Sequence, residues 1–305
     1  VGNVGLNTPY QAGPAILFHG RFGDGGPPVI IEALQENDQL YPRRSRNELG
    51  LRITGLLRRF PRHNAYAQAT LADVLAANRL AQARRFEARE MRSGTYLSQI
   101  EGPHRFEALP WEAQLSPLQG MVALDLTGDG APDLAAVQNS HAPTPSLGRF
   151  SGGLGVVLVN DGHGRFRALA PLASGLVVPG DAKALVVTDF NHDGWPDLVA
   201  SRNDETALRF RRSQPVGLRP LRVTLQGPVG NPTAIGAHLT VTYADGSTHS
   251  AEISAGSGYY SQSAPAAFFA FSSPPRGLAV RWPNGSTSHH DLTADSAPFV
   301  VIRQP

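Results

Sequence analysis

The sequence predicts a mainly β fold, and three observations carry that expectation. Short apolar runs alternate with Gly- and Pro-rich turns over most of the chain. A block built around an acidic turn occurs twice at nearly constant spacing. Between residues 45 and 92 the composition shifts to Ala, Leu, Arg and Glu, which reads as a helical insertion in a β pattern.

The chain has 305 residues, 41% hydrophobic and 17% charged, with 32 Gly and 25 Pro. That is enough for two domains or one large β-domain, and too apolar for wholesale disorder. No apolar run approaches the roughly 18 residues of a membrane helix. No signal peptide is legible, and a start at Val1 leads us to expect a further part upstream. There are no cysteines, so disulfides and thiolate chemistry are excluded. The net charge of +2 is uneven: Arg43 to Arg92 holds 12 Arg against four acids, and the remainder of the chain is mildly acidic. Lys183 is the only lysine.

Residues 1–43 read as strands of a degenerate repeat, with Ala15–Phe18 and Val29–Ile31 extended. Residues 44–93 are the helical insertion. Ser45 with Glu48 fits a capping box, and Leu49, Ile53, Leu56, Leu57 and Phe60 follow at helical spacing as far as Pro61. Thr70 with Asp73 opens a second helix, and Leu80 to Met91 is expected to form a third.

Residues 94–218 repeat themselves. His104-Arg105-Phe106 recurs 60 residues on as Gly164-Arg165-Phe166, and the block Leu124–Leu134 recurs 64 residues on as Thr188–Leu198. A period near 60 suits four-stranded blades of a partial β-propeller, with Ser140–Gly153 as a loop insertion. Gly20–Val29 is a third copy that keeps a single carboxylate, so we expect its turn without a metal. Residues 202–218 read as a final strand and linker. Residues 219–303 form a small β-domain of short strands, cut by Gly227-Pro228, Asp245-Gly246, Pro274-Pro275 and Asn284-Gly285.

The two acidic turns read D-x-T-x-D-G-x-x-D-L and D-x-N-x-D-G-x-x-D-L. Hard oxygen donors fall at positions 1, 3, 5 and 9: Asp125, Thr127, Asp129 and Asp133, then Asp189, Asn191, Asp193 and Asp197. Calcium takes 6–8 oxygens, carbonyls included, so the position-7 carbonyls of Ala131 and Trp195 complete the expected set. Gly130 and Gly194 permit the reversal. An EF-hand is excluded, since position 12 is Ala136 or Ala200 rather than Glu. The competing reading is an Asx-turn loop without metal. We expect two calcium sites, the first weaker because Thr127 is the poorer ligand.

These loops resemble the FG-GAP/VCBS repeats of integrin-like propellers, and Asn160-Asp161-Gly162-His163-Gly164-Arg165-Phe166 resembles their accompanying hairpin. Asn231–Ala237, Gly256–Gln262 and Val280–Gly285 resemble the ASPIC/UnbV domain that follows such repeats in a bacterial, cartilage acidic protein-like group. Gly5-Leu6-Asn7-Thr8, Leu40-Tyr41-Pro42 and Ala113–Pro117 also look like this group. Phe269-Ala270-Phe271-Ser272 departs from it where a turn is usual. The resemblance implies an exported protein (periplasmic, outer-surface or secreted) with a non-catalytic scaffold, adhesion, or protein- or glycan-binding role.

Other sites are weaker. Ser257 and Ser261 lack the setting of a nucleophile elbow, no zinc spacing occurs among the ten His, and Gly256-Ser257-Gly258 is not a P-loop. Tyr259-Tyr260 read as strand residues split between core and surface, with glycan stacking the alternative. Two other functions stay open: polyanion or RNA binding through Arg58, Arg59, Arg84 and Arg85, and a hydrolase with its active site outside these motifs.

Overall fold

The computed structural model describes residues 14–141, 148–296 and 298–305. Gly5-Leu6-Asn7-Thr8 and the middle of Ser140–Gly153 lie outside them. The described residues form two units, one ending at Arg92 and one beginning at Ser93.

In the first unit, β1 (Ala15–Gly20) pairs with β2 (Val29–Glu36), β2 carries β3 (Gln39–Pro42), and β4 (Arg84–Ala88) closes the other side of β1. Strand alternation puts Ile16, Phe18, Ile31 and Ala33 into one core. Five short helices supply the rest of it: α1 (Arg46–Gly50), α2 (Leu56–Arg59), α3 (His63–Ala67), α4 (Leu71–Leu75) and α5 (Ala77–Gln82). Leu49, Ile53, Leu56, Leu71, Val74 and Leu75 are all buried there. Both capping boxes form, Ser45 with Glu48 and Thr70 with Asp73.

Two expectations are corrected. The apolar stripe from Leu49 to Phe60 does not lie on one helix. α1 stops at Gly50, residues 51–55 are turns, and Gly55, left-handed at φ 87°, is the N-cap from which α2 starts in a new direction. Nor is Leu80 to Met91 helical beyond Gln82. Arg84–Ala88 pairs antiparallel with β1, whose edge would otherwise stand open. The helical part therefore spans Arg46–Gln82.

In the second unit, β5 (Gly94–Leu97) and β6 (Arg105–Ala108) form a two-stranded sheet. Then β7 (Leu118–Leu124), β8 (Asp133–Gln138), β9 (Val156–Asn160) and β10 (Phe166–Leu169) make a four-stranded meander, the arrangement of a propeller blade. After α6 (Pro171–Ser174), a three-stranded meander follows: β11 (Ala182–Thr188), β12 (Asp197–Arg202) and β13 (Glu205–Phe210). Every residue of β8 is buried, because the strand serves two cores. Ala135 and Val137 join Val122, Leu185, Val187 and Ala200 between the two meanders. Leu134 and Ala136 face Leu109, Ala113 and Leu158. Gly120 lets β7 approach the backbone of Ala184 and Leu185.

The C-terminal part is two sheets over one core. One has the order β17-β14-β20, from β14 (Arg219–Gln226), β17 (Ala266–Phe271) and β20 (Phe299–Arg303). The other has the order β16-β15-β18-β19, from β15 (His238–Tyr243), β16 (Thr248–Glu252), β18 (Pro275–Arg281) and β19 (Thr287–Asp291). Leu221, Val223, Leu239, Val241, Val280 and Trp282 are buried between them. Each large aliphatic buried this way contributes about 1.5–3 kcal/mol. Trp282 Nε1 is satisfied by Ser288 Oγ at 2.9 Å. Asp245-Gly246 and Asn284-Gly285 make the two hairpin turns, with both glycines at φ 87°. The fold is mainly β, and the described residues form several small sheets with no closed barrel among them.

Candidate metal centre

Each acidic turn joins two antiparallel strands, 125–132 between β7 and β8 and 189–196 between β11 and β12. In the first, Asp125 Oδ1 accepts from the amides of Gly128 and Asp129, and its Oδ2 from Gly130 at 2.9 Å. Asp129 Oδ1 accepts from the Ala131 amide at 2.9 Å. Asp133 is fully buried; its Oδ2 accepts from the amides of Leu126 and Thr127 and its Oδ1 from that of Asn160.

The second turn repeats the scheme. Asp189 accepts from Asp193 and Gly194, Asp193 from Trp195, and Asp197 from Phe190 and Arg212, all through amides. Asn191 Nδ2 donates to Asp193 Oδ2 at 2.8 Å. Gly130 and Gly194 sit at φ 88° and 87°, as position 6 requires.

Burial pushes the Asp133 carboxyl above the ordinary carboxylate range. Asp125 and Asp129 push the same way, against the amides of Asn160 and Leu126. Asp197 is raised likewise, by burial first and then by Asp193 and Asp189.

Among the described residues no three His, Cys, Asp or Glu side chains converge on a metal-sized centre. The position-1 and position-9 carboxylates turn to loop amides instead. The donor chemistry still fits a hard divalent cation. Every candidate is oxygen: carboxylates, the Thr127 hydroxyl, the Asn191 carboxamide, and carbonyls such as those of Ala131 and Trp195. Asp129 Oδ2 accepts no hydrogen bond among the described residues. The second loop already holds a stand-in cation: Arg222 Nη1 lies 3.3 Å from Asp189 Oδ2.

Both loops abut the C-terminal sheets, a contact that no residue pattern signals. Gly130 lies against the imidazole of His249, and His249 Nδ1 is 3.7 Å from Asp125 Oδ2. Tyr243 stands edge-on to His249, ring centres 4.8 Å apart. Gly128 faces Leu218 and Ala270, and Gly194 faces Pro220 and Pro298. Arg212 Nη2 donates to the Leu126 carbonyl at 2.6 Å, and its guanidinium stacks 4.6 Å over Trp195. A cavity of about 500 Å³ opens beside the first loop, lined among others by Asp125, His249, Ser250, Glu252, Ser257 and Phe268.

In the first unit, residues 21–28 connect β1 and β2 over the same length as the two acidic turns. Arg21 stands at position 1 and Val29 at position 9, so the ligands are gone. Arg79 reaches in from α5, donating to the Phe22 carbonyl at 2.7 Å and to Asp24 Oδ1 at 2.5 Å.

The arginines considered for polyanion contact are mostly engaged. Arg59 donates to the Val74 carbonyl, Arg84 stacks 5.2 Å over Phe86, and Arg85 pairs with Glu87 at 2.5 Å. Arg58 adds only a long-range charge near Asp24.

Residues 125–200 match the family model of the FG-GAP-like repeat, and residues 227–303 match that of ASPIC and UnbV. The chain carries an FG-GAP-like repeat followed by an ASPIC/UnbV domain. No curated protein matches it. Such repeats and domains are generally non-catalytic, and FG-GAP repeats commonly mediate protein interactions. No helix of the described residues is long and apolar enough to cross a membrane.

Within the ASPIC/UnbV domain, Phe269-Ala270-Phe271 is strand, part of β17, rather than the turn usual there. Tyr259 and Tyr260 are not strand residues, contrary to expectation. They are 63% and 94% exposed on a loop, packed edge to face at 4.7 Å. Tyr260 is left-handed at φ 46°, a conformation no strand contains. Ser257 Oγ accepts from the Ser263 amide at 2.8 Å, so it braces this loop. Gln262 braces it too, through the Ser254 carbonyl. Neither Ser257 nor Ser261 meets an imidazole among the described residues.

Proposed function

We propose that the chain is a calcium-stabilised, non-catalytic binding or scaffold module of an exported protein, with protein or glycan as its ligand. The observation that carries this reading is the pair of in-register oxygen-donor turns, each joining two strands at the base of a meander. Two ions are expected, one per turn. A bound ion would neutralise three carboxylates crowded within nine residues and fix the loop that holds two strands together.

The non-catalytic reading is supported by what surrounds the serines. Ser151 Oγ contacts His141 Nε2 at 3.1 Å, and Ser288 Oγ contacts His290 Nε2 at 2.9 Å. No carboxylate orients either imidazole among the described residues, so the third member of a hydrolytic triad is missing. The engaged arginines weigh against the polyanion reading.

A thermal melt in millimolar calcium and in chelator tests the proposal. Calcium at a hundred times its Kd raises stability by about 2.7 kcal/mol per site. A melting temperature indifferent to both would end the calcium reading.

A further inference from the structure

We propose that Arg222 is the built-in cation of the 189–197 loop. The 125–133 loop then takes a divalent ion from solution more tightly, and the second loop takes one only by displacing Arg222. This rests on the calcium reading above, and it reverses the order of affinity that Thr127 alone suggests.

Arg222 projects from β14 and places Nη1 3.3 Å from Asp189 Oδ2. The Asp189 side chain has no exposure and that of Arg222 is 22% exposed, so water screens the pair poorly. The Arg222 Nε is buried without a hydrogen bond, and its guanidinium stacks 5.9 Å over Phe268. A guanidinium stays charged at any pH a folded protein meets. Asp189 is therefore compensated before any metal arrives.

The first loop differs. Among the described residues no Arg or Lys nitrogen lies within 4.0 Å of a carboxylate oxygen of Asp125, Asp129 or Asp133. Arg212 stands nearby but donates to the Leu126 carbonyl. His249 Nδ1 is 3.7 Å from Asp125 and makes no hydrogen bond. Three carboxylates there lack a directly paired cation, and a metal ion entering meets none to displace.

The β1–β2 hairpin shows the same exchange carried to completion. Its connection has equal length, its ligands are lost, and Arg79 is ion-paired to the one remaining carboxylate, Asp24. Two of three equivalent connections thus hold a guanidinium on a carboxylate. In the second loop the ligands persist alongside it, so ion and guanidinium compete for Asp189. An ion that wins loosens β14 from the repeat.

Terbium tests this, because it is a hard ion that takes oxygen ligands and its binding is read directly by calorimetry. Each loop is isolated in the full chain by removing one carboxylate of the other, Asp193→Ala leaving the first loop and Asp129→Ala leaving the second. The expected result is that the Asp193→Ala chain binds at lower terbium than the Asp129→Ala chain. Arg222→Met added to Asp129→Ala should move binding to about tenfold lower terbium or further, and added to Asp193→Ala should leave it in place. Arg222→Lys keeps the charge and should keep the original order, which separates competition from simple damage to the fold. The proposal is overturned if the second loop binds the more tightly, or if Arg222→Met leaves its midpoint unmoved. Absence of binding at both loops in all variants would instead bring down the calcium reading, and this proposal with it.

Discussion

The buried carboxylate of Asp133 accepts the amide of Asn160 at 2.9 Å, which ties the first acidic turn to the far end of the neighbouring strand. Asn160 in turn accepts the amides of Gly162 and Gly164 and donates to the Pro132 carbonyl. Asp133 therefore holds the repeat together whether or not an ion is present. Asp129 does not, since only the Ala131 amide depends on it. Asp133→Ala should cost about 3 kcal/mol in urea melts both with calcium and with chelator. Asp129→Ala should cost under about 0.5 kcal/mol in chelator and remove the first loop's share of the calcium increment. An intact increment in Asp129→Ala would place the ion elsewhere.

Left-handed glycines give a second test. Gly130 and Gly175 are both left-handed, at φ 88° and 70°, but a methyl at Gly130 meets His249 and one at Gly175 meets open space. Gly175→Ala should cost about 1 kcal/mol from backbone strain alone. Gly130→Ala should cost clearly more, and His249→Ala in the same chain should return part of the difference. Equal costs for the two glycines would mean that His249 does not press on the loop.

Asp181 supplies a pH dependence. Burial works to raise its carboxyl, but Lys183 at 2.5 Å, Asn203 and the His141 amide hold it below the ordinary 3.8. A depressed folded-state value means the unfolded chain binds the proton more readily. The contribution is thus fully present above the unfolded value and lost as pH falls through the folded one. Asp181→Asn should be less stable than wild type by about 2 kcal/mol at pH 7. The gap should close as the pH drops below about 4. A gap constant from pH 7 to pH 3 would refute this.

The insert of the first unit should respond to charge removal as a structure rather than as a ligand site. Arg59→Gln and Arg85→Gln remove the bond to the Val74 carbonyl and the pair with Glu87. Each is expected to lower the melting temperature while leaving retention on a heparin column and its salt slope unchanged. A slope reduced by about one per arginine would revive the polyanion reading.

Much of this was legible from residue patterns with local causes. The acidic turns, the Asp-Gly and Asn-Gly hairpins and both capping boxes depend on bonds within a few residues, so their sequence signatures hold. Arg84–Ala88 misled because its apolar spacing suits a helix, while the unpaired edge of β1 (far away in sequence) decides for a strand. Leu49 to Phe60 kept its buried stripe but not its continuity, because the chain turns over residues 51–55 and restarts from left-handed Gly55, and the spacing does not show a turn. Tyr259 and Tyr260 looked like strand residues until Ser257 and Gln262 closed a loop around them. Arg222 and His249 carry no local mark at all; only the packing of one domain on the other brings them to the acidic turns.

Strand β20 runs parallel to β14, pairing Val223 with Val300 and Leu225 with Ile302. The strand just before the ASPIC/UnbV match thus waits for a partner made some eighty residues later. During synthesis the Leu221, Val223 and Leu225 row emerges with one flank bare, at risk of pairing with a neighbouring nascent chain. The domain cannot finish until residue 303 has cleared the ribosome, so expression at lower temperature or with a holdase chaperone should favour its soluble form.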